Sequence, residues 1–300
     1  LSSSSAASDV YKRQIDNHVH CCPHINKRST DIFEVIKKAE QLKMHAIGLM
    51  DNFSNTSGYA SLVKKHLPKL KLKVFGGLIM EPPSGGVNYE NAKISLNYSY
   101  FNNDGAKFIS FPTHHTRHVA KLEKRKKNYI KNCFYIPKSG PTHETLKILE
   151  LIAQKNIVLN TGHLSAKETI SLVSAAKKIG VKKIIVPSNT FDIKTIKDLK
   201  KFRVKFEFSY FFVSKAANVP LTHIDGEKHI IQGTNQDLLK FLIKEANPKN
   251  VILSSDCGVS ILPKPHIGFS KFIDQIIKLG FSEKEIEYMI KTNSKKLFSL

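Results

Sequence analysis

Eight short apolar runs, separated by amphipathic or polar stretches, constrain this 300-residue chain more than any other feature. They are Ile15 to His20, His45 to Met50, Lys73 to Met80, Lys107 to Pro112, Ile157 to Thr161, Lys183 to Pro187, Val204 to Phe212 and Asn250 to Ser254. Runs such as Lys183-Ile184-Ile185-Val186 and Val251-Ile252-Leu253 are continuous rather than alternating, the pattern of parallel strands covered on both faces. Between them lie helix signals with defined starts. Asp31 with Glu34, Ser165 with Glu168 and Ser282 with Glu285 have capping-box spacing, and Ile32, Val35, Ile36, Ala39 and Leu42 form a stripe of helical period.

Strand and helix alternating through eight runs predict an α/β fold, a single-domain (β/α)8 TIM-type barrel over residues 15–300. The competing arrangement is an open doubly wound sheet with a second domain. No G-x-G-x-x-G follows the first run, and no linker rich in Pro, Gly or Ser divides the chain. The long excursion from Thr113 to Gly140 follows the fourth run and reads as a lid at the functional face of the barrel. Ser4 to Gln14, SSAASDVYKRQ, have neither apolar period nor capping logic and read as an in-frame translation of a sequencing adapter. Residues 1–14 are therefore expected to be a disordered scar, with the natural sequence starting at or near Ile15 and truncated upstream.

A hydrophobic content of 41% suffices for a full core, and no apolar run approaches the length of a membrane span. The four cysteines, Cys21, Cys22, Cys133 and Cys257, form no CxxC pair, which fits a reducing cytoplasm. The formal charge of +22 invites a nucleic-acid reading, but the only arginines are Arg13, Arg28, Arg117, Arg125 and Arg203. Sites that read nucleic acid favour the arginine fork. Lysine here travels with Asn, Ile and Phe, all from AT-rich codons, so coding composition accounts for the charge and a nucleic-acid partner is not expected. The cluster from Lys121 to Lys131 reads as a solvated loop or helix face.

The chemistry gathers at the ends of the runs. In His18-Val19-His20, strand alternation points both imidazoles to one side, so two nitrogens can converge on a metal. His163 follows the fifth run and Asp256 the eighth, and in a barrel such positions share one mouth. Three histidines and a carboxylate suit one divalent ion, zinc first and manganese or iron next, with a position left for water. Glu81 and Glu207 could face the mouth as ligand or base. Arg28, in the loop after the first run, could hold a carboxylate or phosphate. Cys21 and His24 flank the metal motif and Cys257 flanks Asp256.

The order His-x-His on strand one, His after strand five and Asp after strand eight resembles the amidohydrolase superfamily of metal-dependent hydrolases. The terminal Asn293-Ser294-Lys295-Lys296-Leu297 is similar to an Asn-Pro-x-x-Leu ending common in that group, and the closest likeness is to a poorly characterised branch. The resemblance implies His18, His20, His163 and Asp256 as metal ligands, with Asp256 also moving the proton between water and leaving group. It implies hydrolysis of a C-N, C-O or P-O bond in a small substrate. Two positions depart from the pattern. Val186-Pro187-Ser188-Asn189-Thr190 lacks the usual strand-six histidine, and Phe111-Pro112-Thr113-His114-His115 lacks a bridging lysine or glutamate, which favours a mononuclear site. His114, His115 or His118 could replace the missing histidine, so His114 and His115 join Asp256 as catalytic candidates. A metal-dependent decarboxylase, or a degenerate barrel that binds a ligand or nucleic acid, remains the alternative; homo-oligomer formation is left open.

Overall fold

The structure, a computed structural model, describes residues 13–24, 26–222, 228–230 and 233–300. Residues 1–12, most of the expected scar, lie outside the described residues. Arg13 and Gln14 extend the first strand's line: Arg13 N donates to Lys43 O (3.1 Å), and the carbonyl of buried Gln14 accepts from His45 N (2.9 Å).

The parallel strands are β1 (Ile15–Val19), β2 (Ala46–Leu49), β3 (Lys73–Gly76), β4 (Leu78–Ile79), β5 (Phe108–Ser110), β6 (Val158–Asn160), β7 (Ile184–Pro187), β8 (Lys205–Ser209) and, later in the chain, β11 (Val251–Ser254). They run in the order β1-β2-β3 and β4-β5-β6-β7-β8-β11. The third expected strand is thus two pieces, broken at Gly77. Thr56 enters the break, its Oγ1 accepting from Gly77 N (2.9 Å) and donating to Leu49 O (2.7 Å). The first and last strands meet at their ends through a parallel Val19–Cys257 bridge, with Asp256 N donating to His18 O and His20 N to Cys257 O, both at 2.9 Å.

Helices fill the crossovers, among them α1 (Ile32–Gln41), α2 (Thr56–His66), α3 (Tyr89–Ser95), α4 (Arg117–Leu122), α5 (Lys127–Asn132), α6 (His143–Lys155), α7 (Ala166–Ile179) and α8 (Ile193–Lys200). The reciprocal capping box forms at Ser165/Glu168 and Ser282/Glu285. At Asp31 only half of it forms, because the Glu34 carboxylate turns to Thr30 Oγ1 and Lys264 instead. The Val204 to Phe212 run is also not one strand. It becomes helical at Tyr210–Val213, since a continuous apolar run carries no period to separate a buried strand from a buried helix. An antiparallel pair, β9 (Leu221–Thr222) and β10 (Lys228–His229), follows where no strands were expected.

Two apolar layers result. Ile15, Ala46, Phe75, Ile79, Phe108, Val158, Ile185 and Ile252, drawn from successive strands, cluster together as the barrel's inner floor with Leu297 and Phe298 of the last helix. Alternate residues such as Val74, Ile109, Leu159, Phe206 and Leu253 join the larger core beneath the helices. Asn293 ties that last helix to the floor by donating to Val251 O (2.7 Å) and Pro248 O (2.9 Å). The Thr113 to Gly140 excursion carries α4 and α5, and its lysines from Lys121 to Lys131 are exposed. Arg125 is buried there instead, paired with Glu123 at 3.3 Å and stacked 3.9 Å over the Tyr129 ring.

Candidate metal centre at the barrel mouth

Simple alternation along β1 would place Asn17 and Val19 on one side and His18 and His20 on the other. The pairing register shows otherwise: Asp16 pairs with Ile47 and Val19 with Leu49, so β1 holds one extra residue. This bulge changes the phase, as bulges beside functional sites do. Ile15 and Asn17 face inward below it, and His18 and His20 face inward above it, while Val19 packs outward. The buried Asp16 carboxylate holds the irregularity, its Oδ1 accepting from His18 N (3.3 Å) and Ser255 N (3.0 Å). Burial pushes the Asp16 pKa up to about 7, against the lowering effect of these bonds and of His18.

Asp256 follows β11 with a left-handed φ of 50°. Gly258 comes two residues later at a φ of 124°, where a Cβ would collide with the His20 carbonyl. The turn therefore presses against β1 and aims the carboxylate at the two histidines. His18 Nε2 lies 3.3 Å and His20 Nε2 3.1 Å from Asp256 Oδ1. Ser209 Oγ donates to the other oxygen, Oδ2, at 3.2 Å. His18 Nδ1 contacts Glu207 Oε1 at 3.1 Å, and the same oxygen accepts from Asn17 Nδ2 (3.3 Å) and Ser254 Oγ (2.8 Å). Glu207 thus grips the back of a candidate ligand ring, which fixes the tautomer and leaves Nε2 for the mouth.

Charge follows this geometry. Burial disfavours the His18 imidazolium, but Asp256 and Glu207 outweigh it and raise its pKa to about 9. Burial also disfavours the Asp256 carboxylate, yet His18, His20 and His163 hold its pKa well below the usual carboxylate range. His20 is pushed down by burial, and so is His163, to about 4.

His18, His20 and Asp256 offer ligand atoms that all lie within 4.8 Å of one another, the one such group among the described residues. Metal–nitrogen bonds of about 2.0–2.1 Å at tetrahedral angles set donor atoms roughly 3.3 Å apart. The observed 3.1 and 3.3 Å separations match that edge, so these three residues fit a small divalent ion.

The other candidates fall around this group. His163 is carried by the turn after β6, where Gly162, at a φ of 66°, passes so close to the Phe111 and Pro112 carbonyls that no side chain fits. Its ring faces His114 at 6.5 Å and Phe212 at 6.0 Å, and it stands outside the group of three. His114, His115 and His118 are not in that group either; His115 packs against Tyr129 at 5.4 Å. Glu81 is fully buried and spent on the loop after β5, accepting from Thr113 N (2.6 Å), Thr113 Oγ1 (3.0 Å), His114 N (2.6 Å) and His115 N (3.1 Å). In the strand-six position, Asn189 Oδ1 accepts from Ser209 N at 3.0 Å, a structural task. Cys21, Cys22, Cys133 and Cys257 are all free, and burial raises the Cys257 thiol.

Sequence reasoning missed Asp16, Asn17 and Ser209. Two polar residues inside the buried run IDNHVH were the available signal for the first two; nothing in the sequence marks Ser209.

The parallel strands and their helices make a mixed α/β barrel with a His-x-His/Asp group at its mouth. Structures similar to it include an amidohydrolase from Pseudomonas aeruginosa, 9% identical, with a TM-score of 0.63 over 98% of both chains. The probable dipeptidase PvdM from the same organism is 9% identical, with a TM-score of 0.64 over 97% of this chain and 96% of that one. An organophosphorus hydrolase from Deinococcus radiodurans is 12% identical, with a TM-score of 0.56 over 88% of this chain and 82% of its own. At such identities the likeness is one of fold. By sequence, residues 13–207 match the model described as a family of unknown function (DUF6282), and the chain belongs to that family. No curated protein matches it in sequence.

Proposed function

We propose that the protein is a metal-dependent hydrolase in which His18, His20, His163 and Asp256 hold one divalent ion, zinc before manganese or iron. The observation that carries the reading is the convergence of His18, His20 and Asp256 at ligand spacing on a shared mouth. The ion would supply Lewis acidity to water and to a carbonyl or phosphoryl oxygen of a small substrate.

The protein's own groups supply the rest. Glu207 accepts from His18 Nδ1 and keeps Nε2 directed at the mouth. Ser209 holds Asp256 Oδ2, which leaves Oδ1 toward the histidines. The strongly depressed pKa keeps Asp256 ionised in the metal-free protein, the form in which a carboxylate ligates; moving a proton from the water to the leaving group is the further role proposed for it. With its pKa near 4, His163 is neutral at physiological pH and available as a ligand or an acceptor. His114 and His115, fixed by Glu81, remain candidates for contact with the substrate or the leaving group. The free cysteines suit a reducing, cytoplasmic setting.

The test is turnover of a panel of lactones, amides and phosphotriesters in 18O-labelled water. Incorporation of one label per turnover, in the carboxylate or phosphoryl product, abolished by chelation and by Asp256→Ala, is expected. Carbon dioxide release without label would assign a decarboxylase instead, and no turnover by metal-loaded protein on any bond class would overturn the hydrolase reading.

A further inference from the structure

The described residues of the loop after β1 are sewn to the loop that carries Asp256. Ser29 N donates to Gly258 O (2.7 Å), Ser260 N to Lys27 O (3.3 Å), and Arg28 forms an antiparallel bridge with Val259. Cys22 N closes the loop's base on Thr30 O at 2.9 Å. Arg28 is thereby held beside the candidate centre by backbone bonds on both sides.

Its side chain is half-buried and has no carboxylate within ion-pair distance among the described residues. Its Nε is sealed from solvent with no hydrogen-bond partner. The acid that most strongly opposes its desolvation, Asp51, is already committed. Asp51 Oδ1 accepts from Phe53 N (2.9 Å) and faces His24 Nε2 (3.3 Å), and Oδ2 accepts from Ser54 Oγ (2.7 Å).

A half-buried guanidinium with no counter-charge is costly unless a ligand supplies one. The guanidinium fork matches a planar oxyanion bidentately, and one positive charge balances one carboxylate more closely than a phosphate dianion. We propose that Arg28 anchors a carboxylate of the substrate, so that the substrate is a small organic acid whose scissile bond lies over the His18/His20/Asp256 group. The word substrate rests on the hydrolase reading above; the anchor itself does not need the metal.

The experiment measures binding of benzoate, phenyl phosphate and neutral benzamide to metal-free protein by calorimetry, with metal content of untreated protein determined in parallel. Wild-type protein is expected to bind benzoate more tightly than benzamide. Arg28→Gln should weaken benzoate about tenfold or more, and Arg28→Lys, which keeps charge without the fork, should fall between. Benzamide should bind all three alike. Arg28→Gln protein that unfolds like wild type yet binds benzoate equally well overturns the anchor, as does wild-type protein that does not bind benzoate. A tenfold preference for phenyl phosphate overturns the carboxylate assignment. Arg28-dependent benzoate binding in a protein that takes up no metal supports the anchor and defeats only the hydrolase reading.

Discussion

Replacing Glu207 with alanine removes one oxygen that serves three donors: His18 Nδ1 at 3.1 Å, Asn17 Nδ2 at 3.3 Å and Ser254 Oγ at 2.8 Å. A buried donor left without a partner costs about 1–3 kcal/mol, so Asn17 and Ser254 together imply a stability loss of roughly 2–6 kcal/mol. The loss at His18 should appear in metal affinity. Removing the carboxylate behind a ligating histidine typically costs about 10–100-fold, or roughly 1.4–2.7 kcal/mol. An opposing effect has to be separated from it. Glu207 also helps hold the His18 proton, with a pKa near 9, so its removal eases metal entry at neutral pH. Zinc affinity, read by competition with a chromophoric chelator, should therefore be compared above pH 9, where His18 is neutral in both proteins. There the Glu207→Ala protein is expected to bind zinc at least about tenfold more weakly, and Glu207→Gln, which keeps one acceptor, should lose less. A folded Glu207→Ala protein with wild-type affinity at that pH would refute the orienting role.

Three further outcomes follow. In metal-free protein the His18 pKa is raised from 6.5 to about 9, so the stability it contributes is fully present below pH 6.5 and lost as pH rises through 9. Urea unfolding should register a fall of up to about 3 kcal/mol across that window, absent when zinc is saturating. Gly258→Ala places a methyl group against the His20 carbonyl at a φ of 124°, and should destabilise by about 3 kcal/mol or more and abolish zinc uptake, as thermal unfolding and metal analysis would show. Glu81→Ala strands the amides of residues 113–115 and should accelerate their hydrogen exchange at least about tenfold, with Glu81→Gln partly restoring protection.

Residue type and spacing carried much of this account. Six of the eight runs and the caps at Ser165 and Ser282 were legible because periodicity and capping are local, and the meeting of His18, His20 and Asp256 was legible because strand ends in a barrel share a mouth. What stayed hidden depends on tertiary partners. The β1 bulge is defined only against β2, and it is what puts Asn17 and His18 on the same side. Glu81 and Glu207 read alike as acids near strand ends. One is spent on three successive backbone amides and the other on a histidine ring, a difference set entirely by what faces them. Tyr210 to Phe212 show the same limit, since their apolar character suits a helix as well as a strand.

Metal content is the direct test that His18, His20 and Asp256 form a metal-binding group. Elemental analysis of purified protein should find about one divalent ion per chain, with His18→Ala and Asp256→Ala each losing most of it while remaining folded. Wild-type protein that is metal-free and refuses zinc, manganese and iron on reconstitution, with all three residues intact, would contradict it.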